Sequence, residues 1–492
     1  MMEAQIETRL FIDGTFVDPA DHRYFADLEP ATEQELAKVA EAGVDDVARA
    51  VAAARKAADH GPWPRMSAES RASIINRFAD AIERRGKELG TLEARDVGKP
   101  VAECINHDVP RAAKNLRFFA AAAQTWTTEA SFSDAKFLGD DLHLMNVTAR
   151  PPLGVGAIII PWNSPLMLAT WNLGPCLAAG NTCVIKPSEL APLSTIALGE
   201  MALEAGLPPG VLNIVTGMGE TGSALVAHPE VDAIAFTGGV ATGRKVMATA
   251  AESLKRVLLE LGGKSPNVVF ADADLKRAAA GVARSIFRSQ GQSCVAGSRL
   301  LVERHVAADF LAMLIDEVRN LRIGDPLDHQ TEYGPLISAA HRERVHSFVA
   351  EASAQGAEIL TGGKHPENST VGFYYLPTIL DRVSAQSRAV SEEIFGPVLT
   401  VERFEDEANA IALANSTRYG LAAYLWTTKI DRALRVADRL KTAMVWVNSF
   451  FLRDLRTPFG GSRQSGLGRQ GGRYGLEFWT EPKLIALAYG DR

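Results

Sequence analysis

The chain has 492 residues, 47% of them hydrophobic and 23% charged, with a mean hydropathy of −0.02. That length exceeds one ordinary hydrophobic core, and the even mixture excludes a fibrous or disordered protein, so two or three packed domains are expected. A net charge of −7 gives no general attraction to nucleic acid or anionic membranes, and neither is expected as a partner.

No window supplies the roughly 18 apolar residues of a membrane span. The first residues lack a basic stretch followed by an apolar core, so no export signal is expected. The four cysteines, Cys104, Cys176, Cys183 and Cys294, form no CxxC pair, which points to a reducing compartment, the cytoplasm.

In chain order, residues 45–58, 69–95 and 111–126 have helical apolar spacing. Residues 141–151 are strand-like. A strand–helix rhythm follows: VGAIII, the loop PWNSP, the apolar stretch 166–180, NTCVIKPS, a further helix, VLNIVTG, IAFTG, a helix over 242–253, and VLLELGG. A second round begins with SPNVVF, a helix over 275–290, RLLVE and a helix over 306–321, and runs on to TAMVWVN. Short buried strands alternating with helices predict parallel α/β sheets. Residues 478–489, like 141–151, read as strands outside both units. Such strands need a partner edge, so an oligomerisation arm is expected.

Cys294 lies in GQSCVAGSR, a polar, glycine-bounded loop between a helix and a strand. That setting suits a reactive thiol better than a packing cysteine. The other three cysteines sit in apolar company and read as core. Glu260 closes an apolar strand at a glycine turn, where partial desolvation raises a carboxyl's pKa and suits it to general-base work. A turn-solvated glutamate is the alternative. Asn163 follows a strand in the PWN turn, where its amide is placed to donate to a developing oxyanion, although most turn asparagines are structural.

Two glycine motifs, GMGETG at 217–222 and GGVATG at 238–243, each follow a strand, and a regular helix plainly follows the second. Both place backbone close to a ligand, a phosphate at a helix N-terminus being one reading, and the second motif carries it better. The ten histidines are scattered, His341 and His346 are spaced wrongly for one helix face, and no metal is expected. No GxSxG motif appears.

PWNSP, GNTCVIKPSE, FTGG, LELGGKSP, GQSC, EEIFGPV and PFGGSRQSGLGR together resemble the aldehyde dehydrogenase superfamily over essentially the whole chain. The resemblance implies an α/β fold of two parallel-sheet domains plus a β-strand arm. Residues 1–130 and 150–262 form a NAD-binding domain, 263–463 a catalytic domain, and 131–149 with 477–492 the arm of a homodimer or homotetramer. It implies Cys294 as nucleophile, Glu260 as base and Asn163, with the Cys294 N–H, as oxyanion donors. Lys186 and Glu189 address the adenosine ribose, and Glu393 and Phe395 the nicotinamide side. Ile160, Trp162, Gly219, Gly238, Gly239 and Leu261 lie along the dinucleotide. Glu189 favours NAD over NADP, because a carboxylate accepts from a free 2′-OH and repels a 2′-phosphate.

Two segments, around Arg111 and around Arg453 and Arg456, resemble the branch acting on hydroxymuconic-type semialdehydes, including 5-carboxymethyl-2-hydroxymuconate semialdehyde. Such substrates carry carboxylates, which arginine holds bidentately, and Trp171 joins this substrate set. The alternatives are a neutral aromatic or aliphatic aldehyde handled by the same chemistry, a coenzyme-A-acylating variant, or a catalytically silent relative. Asn172 and Gln470 depart from the lysine and glutamate of many relatives, and these two amides are expected to face each other.

Overall fold

A computed structural model describes residues 6–367 and 371–490. Two large sheets carry the molecule. The first has eight strands in the order Gly466–Leu467, Arg256–Glu260, Ala233–Thr237, Val155–Ile159, Thr182–Lys186, Leu212–Ile214, Leu10–Ile12 and Thr15–Val17. Its five central strands pair in parallel, with Ile158 opposite Ile185 and Phe236 opposite Leu259. Both faces are covered, as a run such as VGAII requires. Val155, Ala157, Val184 and Leu259 pack into one core, and Ile158, Ile185 and Leu258 into another on the opposite face.

The second sheet has seven strands, Glu358–Thr361, Thr378–Asp381, Val398–Phe404, Arg299–Glu303, Pro266–Val269, Ala422–Trp426 and Met444–Val447, parallel except at its first pair. The helix Leu275–Phe287 covers one face and starts at Asp274, whose side chain accepts from the Arg277 N–H at 3.1 Å. A third sheet joins Lys483–Tyr489, Asp140–Ala149 and Glu129–Phe137, all antiparallel. Phe132, Leu484 and Leu487 are exposed on it.

Several boundaries differ from the sequence reading. The expected helix 69–95 is two helices, Ala68–Arg84 and Gly86–Val97, broken at Arg85, where φ is −92° and ψ is 16°. The helix expected to Gln290 stops at Phe287, because Ser289 and Gln290 turn left-handed. The arm contains a strand, Glu129–Phe137, that the sequence reading did not single out. The strand Gly466–Leu467, beyond the expected end of the catalytic domain, joins the edge of the first sheet beside Arg256–Glu260.

Candidate active site

A cavity of about 860 Å³ lies where the carboxyl ends of the first sheet's strands meet the second domain. Ile159, Lys186, Thr237 and Glu260 end four neighbouring parallel strands and all line it. Parallel α/β sheets concentrate ligand sites at that end.

Cys294 enters from the second domain. The chain leading to it passes through three successive left-handed residues, Ser289 (φ 51°), Gln290 (φ 56°) and Gly291 (φ 69°). The two non-glycine residues are strained there by about 1–2 kcal/mol each. Glu103 offsets this by accepting from Ser289 Oγ at 2.9 Å and Arg288 Nε at 3.0 Å. Burial, reinforced by the nearby carboxyls of Glu393 and Glu260, pushes the Cys294 thiol up to about 12. The backbone N–H groups of Val295 and Cys294 pull in the other direction.

Glu260 is 5% exposed, and its Oε1 has no hydrogen-bond partner. Burial raises its carboxyl well above the usual range, while Arg469, Arg453 and the Gly461 N–H pull it back. Asn163 Nδ2 donates to the Gln292 carbonyl at 2.9 Å, which ties the PWN turn to the cysteine loop and leaves the second amide hydrogen uncommitted. These three side chains, Asn163 just after a strand of the first sheet, Glu260 ending another and Cys294 preceding a strand of the second, line the same cavity.

The long end of the cavity suits a dinucleotide. The helices Gly219–Ala227 and Val240–Ala251 both begin at it with no side-chain cap, so free N–H groups face the space. A Cβ built on Gly219 or Gly239 would meet nothing within 4 Å, so the space beside each glycine is open. Lys186 Nζ is anchored on the Pro187 carbonyl at 2.9 Å and lies 3.8 Å from the Glu189 carboxylate. Ile160, Trp162, Gly238, Leu261, Glu393 and Phe395 line the same cavity. Glu393 Oε1 accepts from the Gly263 N–H at 3.1 Å. A Cβ at Gly262 would lie 1.8 Å from Glu393 Oε2, so any larger residue there would push the Glu393 carboxylate aside.

At the other end, Arg111 and Arg453 both face the ring of Trp171, at 5.7 and 5.0 Å from its centroid. Arg111 Nε donates to Asn115 Oδ1 at 2.8 Å, and Arg453 donates to the carbonyls of Asp454 and Thr457. Burial and the neighbouring Arg111 pull Arg453 down to about 10. Phe450, Phe451 and Phe459 form an aromatic wall beside them.

Two expected substrate residues sit elsewhere. Trp171 is 5% exposed and lies beneath the arginines rather than on the cavity wall. Arg456 does not reach the cavity. Its guanidinium forks onto the Asp454 carboxylate at 2.6 Å, two residues back on the same surface loop. Asn172 and Gln470 do meet: Gln470 Nε2 donates to Asn172 Oδ1 at 2.6 Å, and Gln470 Oε1 accepts from Trp171 Nε1 at 2.6 Å.

Lys99, Glu103, Asp108, His341 and Arg344 also line the cavity and were not singled out from the sequence. His341 was weighed only as a metal ligand. Among the described residues no cluster of three or more His, Cys, Asp or Glu is placed to hold a metal ion.

The profile of the aldehyde dehydrogenase family matches residues 16–485. A 2-hydroxymuconic semialdehyde dehydrogenase of Pseudomonas sp. strain CF600 is 47% identical over 486 residues, covering 98% of this chain and 99% of that protein. The 2-aminomuconic semialdehyde dehydrogenase of Homo sapiens is 38% identical, covering 97% and 98%. Among solved structures, an indole-3-acetaldehyde dehydrogenase in complex with NAD+ superposes with a TM-score of 0.95 at 41% identity, covering 99% of this chain and 98% of that one.

Proposed function

The chain belongs to the aldehyde dehydrogenase family, and on that premise we propose that it oxidises a carboxylated semialdehyde of the hydroxymuconate type to the acid, with NAD as electron acceptor. The observation that carries the substrate class is the arginine pair. Arg111 and Arg453 share one indole, and neither makes an ion pair with a carboxylate among the described residues. Two like charges held together in a half-buried site call for an anion, and a substrate carboxylate supplies it. The relatives named for muconic semialdehydes support the same class.

The chemistry follows from the cavity. Cys294 gives up its thiol proton to solvent, and its thiolate sulfur bonds to the aldehyde carbon as the carbon–oxygen double bond becomes a single bond to an oxyanion. The negative charge that develops on the carbonyl oxygen meets the free Asn163 amide hydrogen and the Cys294 backbone N–H, dipoles fixed before the reaction begins. NAD, when bound, supplies the acceptor for the aldehyde's hydride, with Lys186 and Glu189 toward the adenosine ribose and Glu393 and Phe395 toward the nicotinamide. Glu260 takes a proton from the water that attacks the cysteine thioester, the carbon–sulfur bond breaks, and the acid leaves. Glu260 lines the cavity, and burial raises its carboxyl well above the usual range, which suits it to take that proton.

The aromatic wall of Phe450, Phe451 and Phe459 also suits the body of a neutral aromatic aldehyde, the second reading. Comparing kcat/KM for 2-hydroxymuconate semialdehyde, benzaldehyde and betaine aldehyde separates them. Preference for the first is expected, and equal efficiency on all three would refute the carboxylate assignment.

The exposed apolar strands of the third sheet support association between copies of the chain. Four unpaired cysteines, and the absence among the described residues of any helix long and apolar enough to cross a membrane, agree with a cytoplasmic enzyme.

A further inference from the structure

Between Lys99 and the helix Val109–Gln124 the chain leaves regular α-helix. Cys104–Asp108 forms a π-helical turn, in which the Val109 N–H donates back five residues to the Cys104 carbonyl. Single π-turns of this kind collect at functional sites. In an α-helix, residues 103 and 108 would point about 140° apart. The wider turn lets both carboxylates face one ammonium: Lys99 pairs with Asp108 and lies 3.8 Å from Glu103 Oε1. Burial pulls the Lys99 ammonium down, but Asp108 and Glu103 more than offset this and keep it charged. Burial likewise pushes the Glu103 carboxyl up, and Lys99 and Arg288 bring it below its ordinary range.

These charges complete a closed ring of contacts beside the reacting centre. Lys99 Nζ donates to Ser164 Oγ at 3.2 Å, and Ser164 Oγ donates to the Asn163 carbonyl at 2.7 Å. Asn163 Nδ2 reaches the Gln292 carbonyl, and the Gln292 N–H donates to the Ser289 carbonyl at 2.9 Å. Ser289 Oγ donates to Glu103 Oε1, the same oxygen that faces Lys99 and accepts from Arg288 Nε. Residues 163–164 follow a strand of the first sheet, whereas 289–292 lie between a helix and a strand of the second unit. The gap between them is therefore tied twice, by Asn163 on Gln292 and by Lys99 with Glu103. One tie leaves a hinge, and two fix the angle.

We propose that Lys99 and Glu103 are positioning residues, a strut that holds the turn carrying Asn163 at a set distance from the loop carrying Cys294 and so aligns the two donors that meet the developing oxyanion. The inference rests on the reading that the Asn163 amide and the Cys294 N–H are those donors. Lys99 acts through Ser164 and Glu103 through Ser289, so neither has to touch the aldehyde. Donors that work because they are fixed in advance lose their effect on small displacements.

The test is single-turnover NADH formation by the whole enzyme with benzaldehyde and with 2-hydroxymuconate semialdehyde. Glu103→Ala is expected to slow it about 10- to 100-fold on both, because every aldehyde develops the same oxyanion. Alkylation of Cys294 by iodoacetamide develops no oxyanion, and its rate should change less than about twofold. The other three cysteines are buried and do not compete. Glu103→Gln keeps an oxygen for Ser289 and Arg288 and is expected to recover most of the rate. If Glu103→Ala does not fold, Ser164→Ala, which cuts the ring on its other side and leaves Lys99 paired with Asp108, carries the same comparison. An unchanged rate, a loss confined to the carboxylated aldehyde, an equal loss in alkylation, or no recovery with glutamine would each overturn the proposal. Asn163→Ala runs alongside. If it slows the enzyme and Glu103→Ala does not, the strut alone has failed; if it leaves NADH formation as fast as before, the oxyanion reading has failed and the strut has nothing to align.

Discussion

Cys294 and Glu260 both work after losing a proton, and burial raises both. At low pH neither is available, so the rate should climb as pH rises from about 6 to 9. A stopped-flow NADH burst that slows over that range would contradict the assignment. Cys294→Ala is expected to abolish NADH formation, whereas Glu260→Gln should allow one burst and then stall at the thioester. Arg111→Ala and Arg453→Ala should each raise KM for a carboxylated semialdehyde about ten- to a hundredfold, the loss of a charged hydrogen bond, with benzaldehyde nearly unchanged. Equal losses on both aldehydes would make the arginines structural. At this scale the three candidates for the chemistry were legible because each sits in a motif with its own turn, and the structure brings all three to one cavity. It failed where a motif held two equivalent residues. Arg453 and Arg456 look alike in the sequence, and only the side chain of Asp454, folding back onto Arg456, separates them. His341 escaped because its partner is a backbone carbonyl, which no sequence pattern displays.

Between elements, the amides of Asn172 and Gln470 join the apolar helix Pro165–Ala178 to the chain's last segment. Both are buried, at 1% and 5% exposure, so a charge introduced at either has no partner. Asn172→Lys or Gln470→Glu alone should destabilise the enzyme by roughly 3–5 kcal/mol, and the double change should recover part of it. Denaturant melts of the four proteins give the coupling, and strict additivity would count against it. That contact was legible because both positions depart from the family pattern together. Other elements were not. The helix Ala339–Ala354 shows only a narrow buried stripe, Val345, Phe348, Val349 and Ala352, among charged residues, too weak an apolar rhythm to stand out. Glu129–Phe137 escaped because its side chains are largely exposed, so no alternation of apolar and polar residues marks it.

For the molecule as a whole, the third sheet turns apolar residues outward, and Leu484→Arg with Leu487→Arg should lower the mass of the particle in solution. Light scattering at several concentrations checks this, and an unchanged mass would remove the arm from the assembly. The two large sheets were legible as two rounds of strand and helix, but the seam between them was not. Two residues, Gly466 and Leu467, are too short a strand for any pattern to reveal, yet they pair with Leu259 and Glu260 at the edge of the first sheet. That late pairing sets an order on the chain's birth. The strand ending in Glu260 is made before its edge partner, which lies roughly two hundred residues downstream, about 10–40 s of ribosomal synthesis later. Until then the nascent chain carries an unfinished sheet margin, the kind of surface that recruits other strands. That margin closes only once residues 466–467 have emerged and paired with Leu259 and Glu260.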